Sequence, residues 1–210
     1  MKTIIIGNGN INDYDIVREY FHGAYIIACD GGLRHCRAMM ITPNIMIGDF
    51  DSANKNDFNF FEKLGVGIAS YPKRKDLTDM EIAINHALTK GSTEIYIFGG
   101  VGNRIDHCLA NIHILLHPIQ LGVKACLVDE NNIITLAIDD IEINGDVGQT
   151  ISLVPLTTSV LVEKTTNLEY PLEDKVMQIG SSLGISNVMT ASTATITISN
   201  GVLVVILSSD

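Results

Sequence analysis

The sequence lacks any apolar run near the roughly 18 residues that suggest a membrane span. Its start, MKTIIIGNGNIND, has too short an apolar stretch for a secretory signal. Its four cysteines, Cys29, Cys36, Cys108 and Cys126, form no CxxC pair. With no such signal they read as reduced thiols, and the expected location is the cytoplasm. Basic residues are scarce: 14 Lys and Arg face 24 Asp and Glu, for a net charge of −10. That balance argues against a nonspecific nucleic-acid binder, whose affinity comes largely from basic charge facing phosphate. It leaves room for a small phosphorylated ligand, because a bound divalent cation turns clustered carboxylates into an anion site. No GxxxxGK[ST] is present, so the chain is not a P-loop nucleotidase. GNGNIN at 7–12 lacks the third glycine of a dinucleotide fingerprint, and there is no GxSxG.

What is present is a globular composition. Apolar residues make up 46% and charged residues 18% of 210 positions, enough for a buried core without disulfides. The length suits one large domain or two small ones. Residue types are unevenly spread. All six His, all four Cys and all five Arg lie at or before Cys126, and only two Lys follow Gly145. The region after Gly145 is rich in Ser, Thr, Val and Ile, the composition of short strands. A boundary falls near 129–146, where DENN and DD mark turns. The expected division is residues 1–130 and 131–210.

The first part alternates strand and helix signals. KTIII, AYIIA, IMI, EIYIF and KACLV read as strands. Helices are expected around 33–40, 57–64, 79–90 and 107–117, the third stopped by Gly91. Such alternation predicts an α/β domain with a mostly parallel, Rossmann-like sheet, which binds ligands beyond the carboxyl ends of its strands. The second part reads as an all-β sandwich, with strands TISLVP, SVLVE, TATITIS and VLVVILS. Asn200-Gly201 between the last two predicts a hairpin. VLVVIL is apolar on both faces and is expected to be a central strand.

Four strand ends of the first part terminate in Gly, Asn or Asp: Gly7–Asn10, Asp30–Gly32, Gly48–Ser52 and Gly99–Asp106. A parallel sheet gathers these turns on one edge, where glycines admit a phosphate and carboxylates hold a hard cation. Taken singly, each turn is explained as turn chemistry; their recurrence points to a site. Asp49 and Asp51, two apart, project to one side of an extended chain. Thr78 and Glu81 fit a capping box for the helix that begins at Asp79. Asp106 is either an N-cap or a site residue, and Arg104 beside a glycine turn suits a phosphate. His113 and His117 have a zinc-compatible spacing but no third ligand in sequence, and they share a helix with apolar residues.

These segments together resemble the thiamine pyrophosphokinases. The resemblance rests on DGG at 30–32, IGDFDS at 47–52, KDLTDMEIAI at 75–84, GGVGNRIDHCLANI at 99–112 and SLGISN at 182–187, in order across nearly the whole chain. It implies a catalytic α/β domain followed by a thiamine-binding β-sandwich, assembled as a homodimer. The implied reaction moves diphosphate from ATP to the hydroxyl of thiamine, giving thiamine diphosphate and AMP. By the same resemblance Asp30, Asp49, Asp51 and Asp79 surround Mg²⁺ and the phosphates. Asn8, Asp30, Gly31, Ser52, Thr78 and Arg104 bind the nucleotide. Asp51, Asp79, Arg104 and Asp106 are the catalytic set, with Asp79 or Asp51 as acceptor of the hydroxyl proton. Ser186 and Asn187 bind thiamine, between the first domain of one subunit and the second domain of the other. The chain has no Trp, which some family members place against thiamine, so the wall here must use Tyr or Phe, or be aliphatic. Two other readings remain: a diphosphokinase acting on another alcohol such as a hydroxymethylpterin, and a non-catalytic module that binds thiamine or a nucleotide.

Overall fold

The computed structural model describes residues 1–51, 53–72 and 76–209. The chain divides into two compact units, Met1–Glu130 and Asn131–Asp210.

The first unit runs β1 (Lys2–Ile6), α1 (Tyr14–Tyr20), β2 (Tyr25–Cys29), a 3-10 turn (Asp30–Gly32), α2 (Leu33–Met39), β3 (Ile45–Gly48), α3 (Lys55–Lys63) and β4 (Gly67–Ser70). It continues through α4 (Asp79–Thr89), β5 (Glu94–Phe98), α5 (Ile105–Ile114), α6 (Leu116–Gln120) and β6 (Lys124–Val128). The strands lie in the order β6-β5-β1-β2-β3-β4, and every pairing is parallel. In β1, β2, β5 and β6 every residue after the first is buried, so short apolar runs suffice for strands covered on both faces. From β1 the chain builds outward to β4 on one side, then returns to place β5 on the other. The loops after β1 and β5 therefore leave from the point where strand order reverses, the usual ligand crevice of such sheets.

Local sequence sets the helix ends. Asp13 and Asn54 cap α1 and α3 by accepting the N–H two residues on. Thr78 Oγ1 accepts the Glu81 N–H at 3.2 Å, which is the expected cap of α4. The helix expected over 107–117 is split in two at Leu115. Pro118 has no N–H for the Ile114 carbonyl, and its ring crowds that position. Among the described residues no helix is long and apolar enough to cross a membrane.

The second unit contains β7 (Asn132–Ala137), β8 (Ile141–Asn144), β9 (Thr150–Pro155), β10 (Ser159–Thr166), β11 (Glu173–Gln178), β12 (Asn187–Val188), β13 (Thr193–Asn200) and β14 (Leu203–Ser208). These form two antiparallel layers, β12-β9-β14-β7 and β11-β10-β13-β8. Leu153, Val160, Val162, Ile196 and Val205 belong to the core that they enclose. The segment 129–146, expected as boundary turns, holds β7 between its two turns and β8 after the second. The Asn200-Gly201 hairpin does not form either. β13 pairs with β10 and β8, whereas β14 pairs with β7 and β9, so this turn carries the chain from one layer to the other. The burial patterns give the reason. β13 alternates and needs only one buried face, while β14 is apolar from Leu203 to Leu207 and takes the position between two strands.

Candidate functional site

The first unit brings its predicted turns to the carboxyl edge of the parallel sheet. The loops after β1 and β5 are bonded to each other, Gly7 N–H to Phe98 O and Gly9 N–H to Gly99 O, both at 2.8 Å. Glycine is required at this seam. A Cβ on Gly9 would stand 2.5 Å from Gly99 O and 2.7 Å from Val101 O. A Cβ on Gly31 would run into the Asn8 side chain, so the turns after β1 and β2 also meet.

Three carboxylates converge here. One oxygen from each of Asp30, Asp49 and Asp51 lies within 4.8 Å of the others. Asp51 N–H donates to Asp49 Oδ1 at 3.1 Å, which folds the segment after β3 so that both side chains face one way. Asp30 and Phe50 have φ of 45° and 58°, a conformation that costs a non-glycine residue about 1 kcal/mol or more. The chain thus holds strained backbone at two turns that aim these acids. Three hard oxygen donors this close suit a divalent cation such as Mg²⁺, and like charges so held repel unless one is bound.

Asp79 is not in that group. It opens α4, whose first turn is pinned to the end of β2 by a bond from Cys29 Sγ–H to Asp79 O at 3.8 Å. Thr78 is engaged as the helix cap. Ser52 lies outside the described residues.

Arg104 and Asp106 pair directly. Nη2 donates to Oδ2 at 2.5 Å and Nε to Oδ1 at 3.2 Å, a bidentate bond on an exposed surface. The Arg104 hydrogen bond, with help from the His107 N–H and nearby positive charge, holds the Asp106 carboxyl down at about 2. Arg104, not Asp106, occupies the cap position of α5, and Asp106 sits in the first turn. The glycine turn before it is fastened to α5 from behind. Asn111 Nδ2 donates to Gly100 O at 2.6 Å, and Cys108 Sγ bonds both the N–H and the carbonyl of Gly102 at 3.2 Å.

Sequence reasoning missed two residues that hold the β1 loop. Arg34 donates to Asn8 Oδ1 and Asn8 O at 2.7 Å and to Gly9 O at 3.1 Å. His35, 3% exposed, bonds Gly9 O through Nε2 at 2.7 Å and Tyr14 Oη through Nδ1 at 2.9 Å. Burial lowers the His35 pKa, against the Gly9 hydrogen bond that raises it. A neutral ring then donates from Nε2 and accepts from Tyr14 at Nδ1. The available signal was an arginine two residues beyond Asp30-Gly31-Gly32 in a chain with only five.

His113 and His117 line a cleft of about 240 Å³ with Glu81 and Asn85, and among the described residues no third ligand completes a metal group with them.

In the second unit, Ser186 is exposed with φ 56°, and its N–H donates to Ser152 Oγ at 3.0 Å. Asn187 is 3% exposed. Its Oδ1 accepts from Tyr170 N–H and Val188 N–H at 3.0 and 2.9 Å, and its Nδ2 donates to Tyr170 O at 2.7 Å. Asn187 therefore ties β12 to the turn at Tyr170.

Comparison with known proteins follows the same division. Residues 17–127 match the family described as thiamin pyrophosphokinase, catalytic domain, and residues 139–203 match thiamin pyrophosphokinase, vitamin B1 binding domain. The chain is 33% identical over 172 residues to a thiamine pyrophosphokinase of Bacillus subtilis, covering 81% of this chain and 80% of that protein. The crystal structure of a Bacillus subtilis thiamine pyrophosphokinase superposes with a TM-score of 0.89 at 29% identity over the whole of both chains. That of Geobacillus thermodenitrificans gives 0.87 at 28% identity, covering 100% of this chain and 98% of the other. The yeast enzyme shares the fold, with a TM-score of 0.83 at 16% identity, covering 99% and 86%.

Proposed function

The chain belongs to the thiamine pyrophosphokinase family, and on that premise we propose how its own residues carry out ATP-dependent diphosphate transfer to thiamine. The observation that carries the reading is the convergence of Asp30, Asp49 and Asp51 at the edge where the β1 and β5 loops meet. We assign nucleotide and metal to the first unit and thiamine recognition to the second.

Asp30, Asp49 and Asp51 would hold Mg²⁺, which when bound offsets phosphate charge on the transferred group. Asn8, Gly31 and Thr78 form the turns around the polyphosphate. Gly31 lacks a side chain, so Asn8 stacks closely over the Asp30 turn. Arg104 meets the charge that develops on the transferred diphosphate, while Asp106 orients its guanidinium fork. Such transfer is mostly positioning plus electrostatic stabilisation, with the thiamine hydroxyl in line with the β-phosphorus. Asp79, standing apart from the three converging acids, is the better acceptor of the hydroxyl proton, because a carboxylate on a metal is a poor base. Ser186 presents polar groups to thiamine, while Asn187 supports it through the Tyr170 turn. Homodimer assembly, with a partner subunit completing the thiamine site, and a cytoplasmic location belong to the same proposal.

Product analysis with ATP, Mg²⁺ and thiamine is the test. AMP and thiamine diphosphate in equal amounts are expected. ADP with thiamine monophosphate would move the attack to the γ-phosphorus. Turnover only with a hydroxymethylpterin would reassign the acceptor, and tight binding without ATP consumption would make this a binding module. Sedimentation of the pure protein tests the dimer.

A further inference from the structure

Resting on the reading above, we infer that Arg34 is a second phosphate-binding cation, one that receives the nucleotide's polyphosphate before any chemistry occurs. The site gathers three carboxylates at one edge, so an incoming polyphosphate needs fixed positive charge besides a metal. Among the described residues, Arg34 and Arg104 are the arginines placed at these turns, and they differ in how their charge is spent. Arg104 is paired in a fork with the carboxylate of Asp106. Among the described residues, Arg34 bonds only to neutral oxygens: Asn8 Oδ1, Asn8 O and Gly9 O. Its charge is therefore held in place and not cancelled.

The donor count leads to the same residue. A guanidinium has five N–H donors. Nη2 uses its two on the carbonyls of Asn8 and Gly9, and Nη1 uses one on Asn8 Oδ1. Nε–H and the second Nη1–H remain, and the side chain is exposed. These two donors lie on different edges of the guanidinium, so each offers a phosphate oxygen one charge-assisted bond, not a two-pronged fork. The position is also set in advance. Gly9 O is bonded at the same time by buried His35, itself held by Tyr14. Asn8 in turn rests on Gly31, next to Asp30. The loop that fixes the guanidinium is thus the loop that borders the three acids, and little ordering is left to occur on binding.

The competing explanation is that Arg34 only clamps the β1 loop. Calorimetric binding of ATP (as a non-hydrolysable analogue), ADP and AMP, with Mg²⁺ and without thiamine, separates the two. With Arg34→Gln, ATP-analogue and ADP binding should weaken about tenfold to a hundredfold, the scale of one lost charge-assisted bond. AMP binding should weaken several-fold less, and the salt dependence of ATP-analogue binding should shrink. Arg34→Lys should restore part of the loss for ATP and ADP. Equal weakening of all three nucleotides, or no weakening, overturns the assignment. Should Arg34→Gln fail to melt cooperatively, Arg34→Lys decides alone: preferential retention of ATP over AMP supports the role, and parallel loss of both refutes it. Wild-type protein that binds ATP yet releases no AMP from it when thiamine is added would overturn the reaction reading while leaving this binding result intact.

Discussion

Replacing Asp49 with Asn should move stability and activity in opposite directions. The change keeps an oxygen at Oδ1, so the Asp51 N–H can still donate to it, and the turn after β3 keeps its shape. What is lost is one of three charges whose oxygens lie within 4.8 Å of one another. At that limiting distance a pair of unit charges repels by about 0.9 kcal/mol in water, and by about 3.5 kcal/mol at an effective dielectric of 20. Physiological salt roughly halves the water value. Asp49 faces two partners, so its neutralisation relieves about 1 kcal/mol at the solvated limit. For a chain of this size that raises Tm by about 2–4 °C when no metal is present. With Mg²⁺ the order should reverse. The wild type gains stability with the logarithm of metal concentration, and the variant, short of one hard oxygen charge, gains less. Thermal melts in EDTA and across a Mg²⁺ series, beside AMP formation with thiamine, read all three effects. The reasoning fails if Asp49→Asn melts lower than wild type in EDTA, or if it keeps both the Mg²⁺ response and normal AMP formation.

Two further outcomes follow from the geometry around the acids. Thr78→Ala should cost about 1 kcal/mol through loss of the α4 cap, a Tm drop of about 2–4 °C, and Thr78→Ser should recover most of it. The same variant should lose more AMP formation than its Tm change explains, because Asp79 sits in the turn that frays. His35 has a lowered pKa from burial, so the unfolded chain binds its proton more readily than the folded one. Its contribution is full at neutral pH and declines as pH falls below about 6.5, the unfolded value. Urea midpoints at pH 7.5 and 5.5 should therefore diverge less for His35→Gln than for wild type, and an unchanged divergence would refute the burial argument.

Much of the fold was legible because its signals are local. Buried parallel strands show as short apolar runs, and KTIII, EIYIF and KACLV lie inside or coincide with β1, β5 and β6. Where the sequence misled, a local rule was overruled by a distant partner. Asn200-Gly201 makes a tight turn, but β14 is apolar on both faces and pairs between β7 and β9, so it cannot stay beside β13. β4 escaped notice because it is an edge strand with no buried residue and little apolar signal. β11 was missed for a related reason, since only Met177 of its six residues is buried.

The site divides along the same physical line. Acids that converge through turns are readable, because spacing within a turn decides where a carboxylate points. Asp49 and Asp51 are two apart and come from one loop, and Asp30 joins them because β2 and β3 are neighbours in a parallel sheet. Residues that hold such turns in place are not readable, because their bonds end mostly on main-chain atoms far along the chain. Arg34 and His35 reach back about 26 residues to Asn8 and Gly9, and Asn111 reaches 11 to Gly100. Any loop carbonyl can receive such a bond, so nothing in the acceptor's sequence marks it. The donors carry the only trace. A buried histidine or an arginine without a carboxylate partner must find neutral oxygens, and in an acidic chain with five arginines that requirement singles out very few positions. Arg34 meets it on the β1 loop, whose Asn8 rests on Gly31 next to Asp30, and the phosphate role proposed for it would use the charge it keeps.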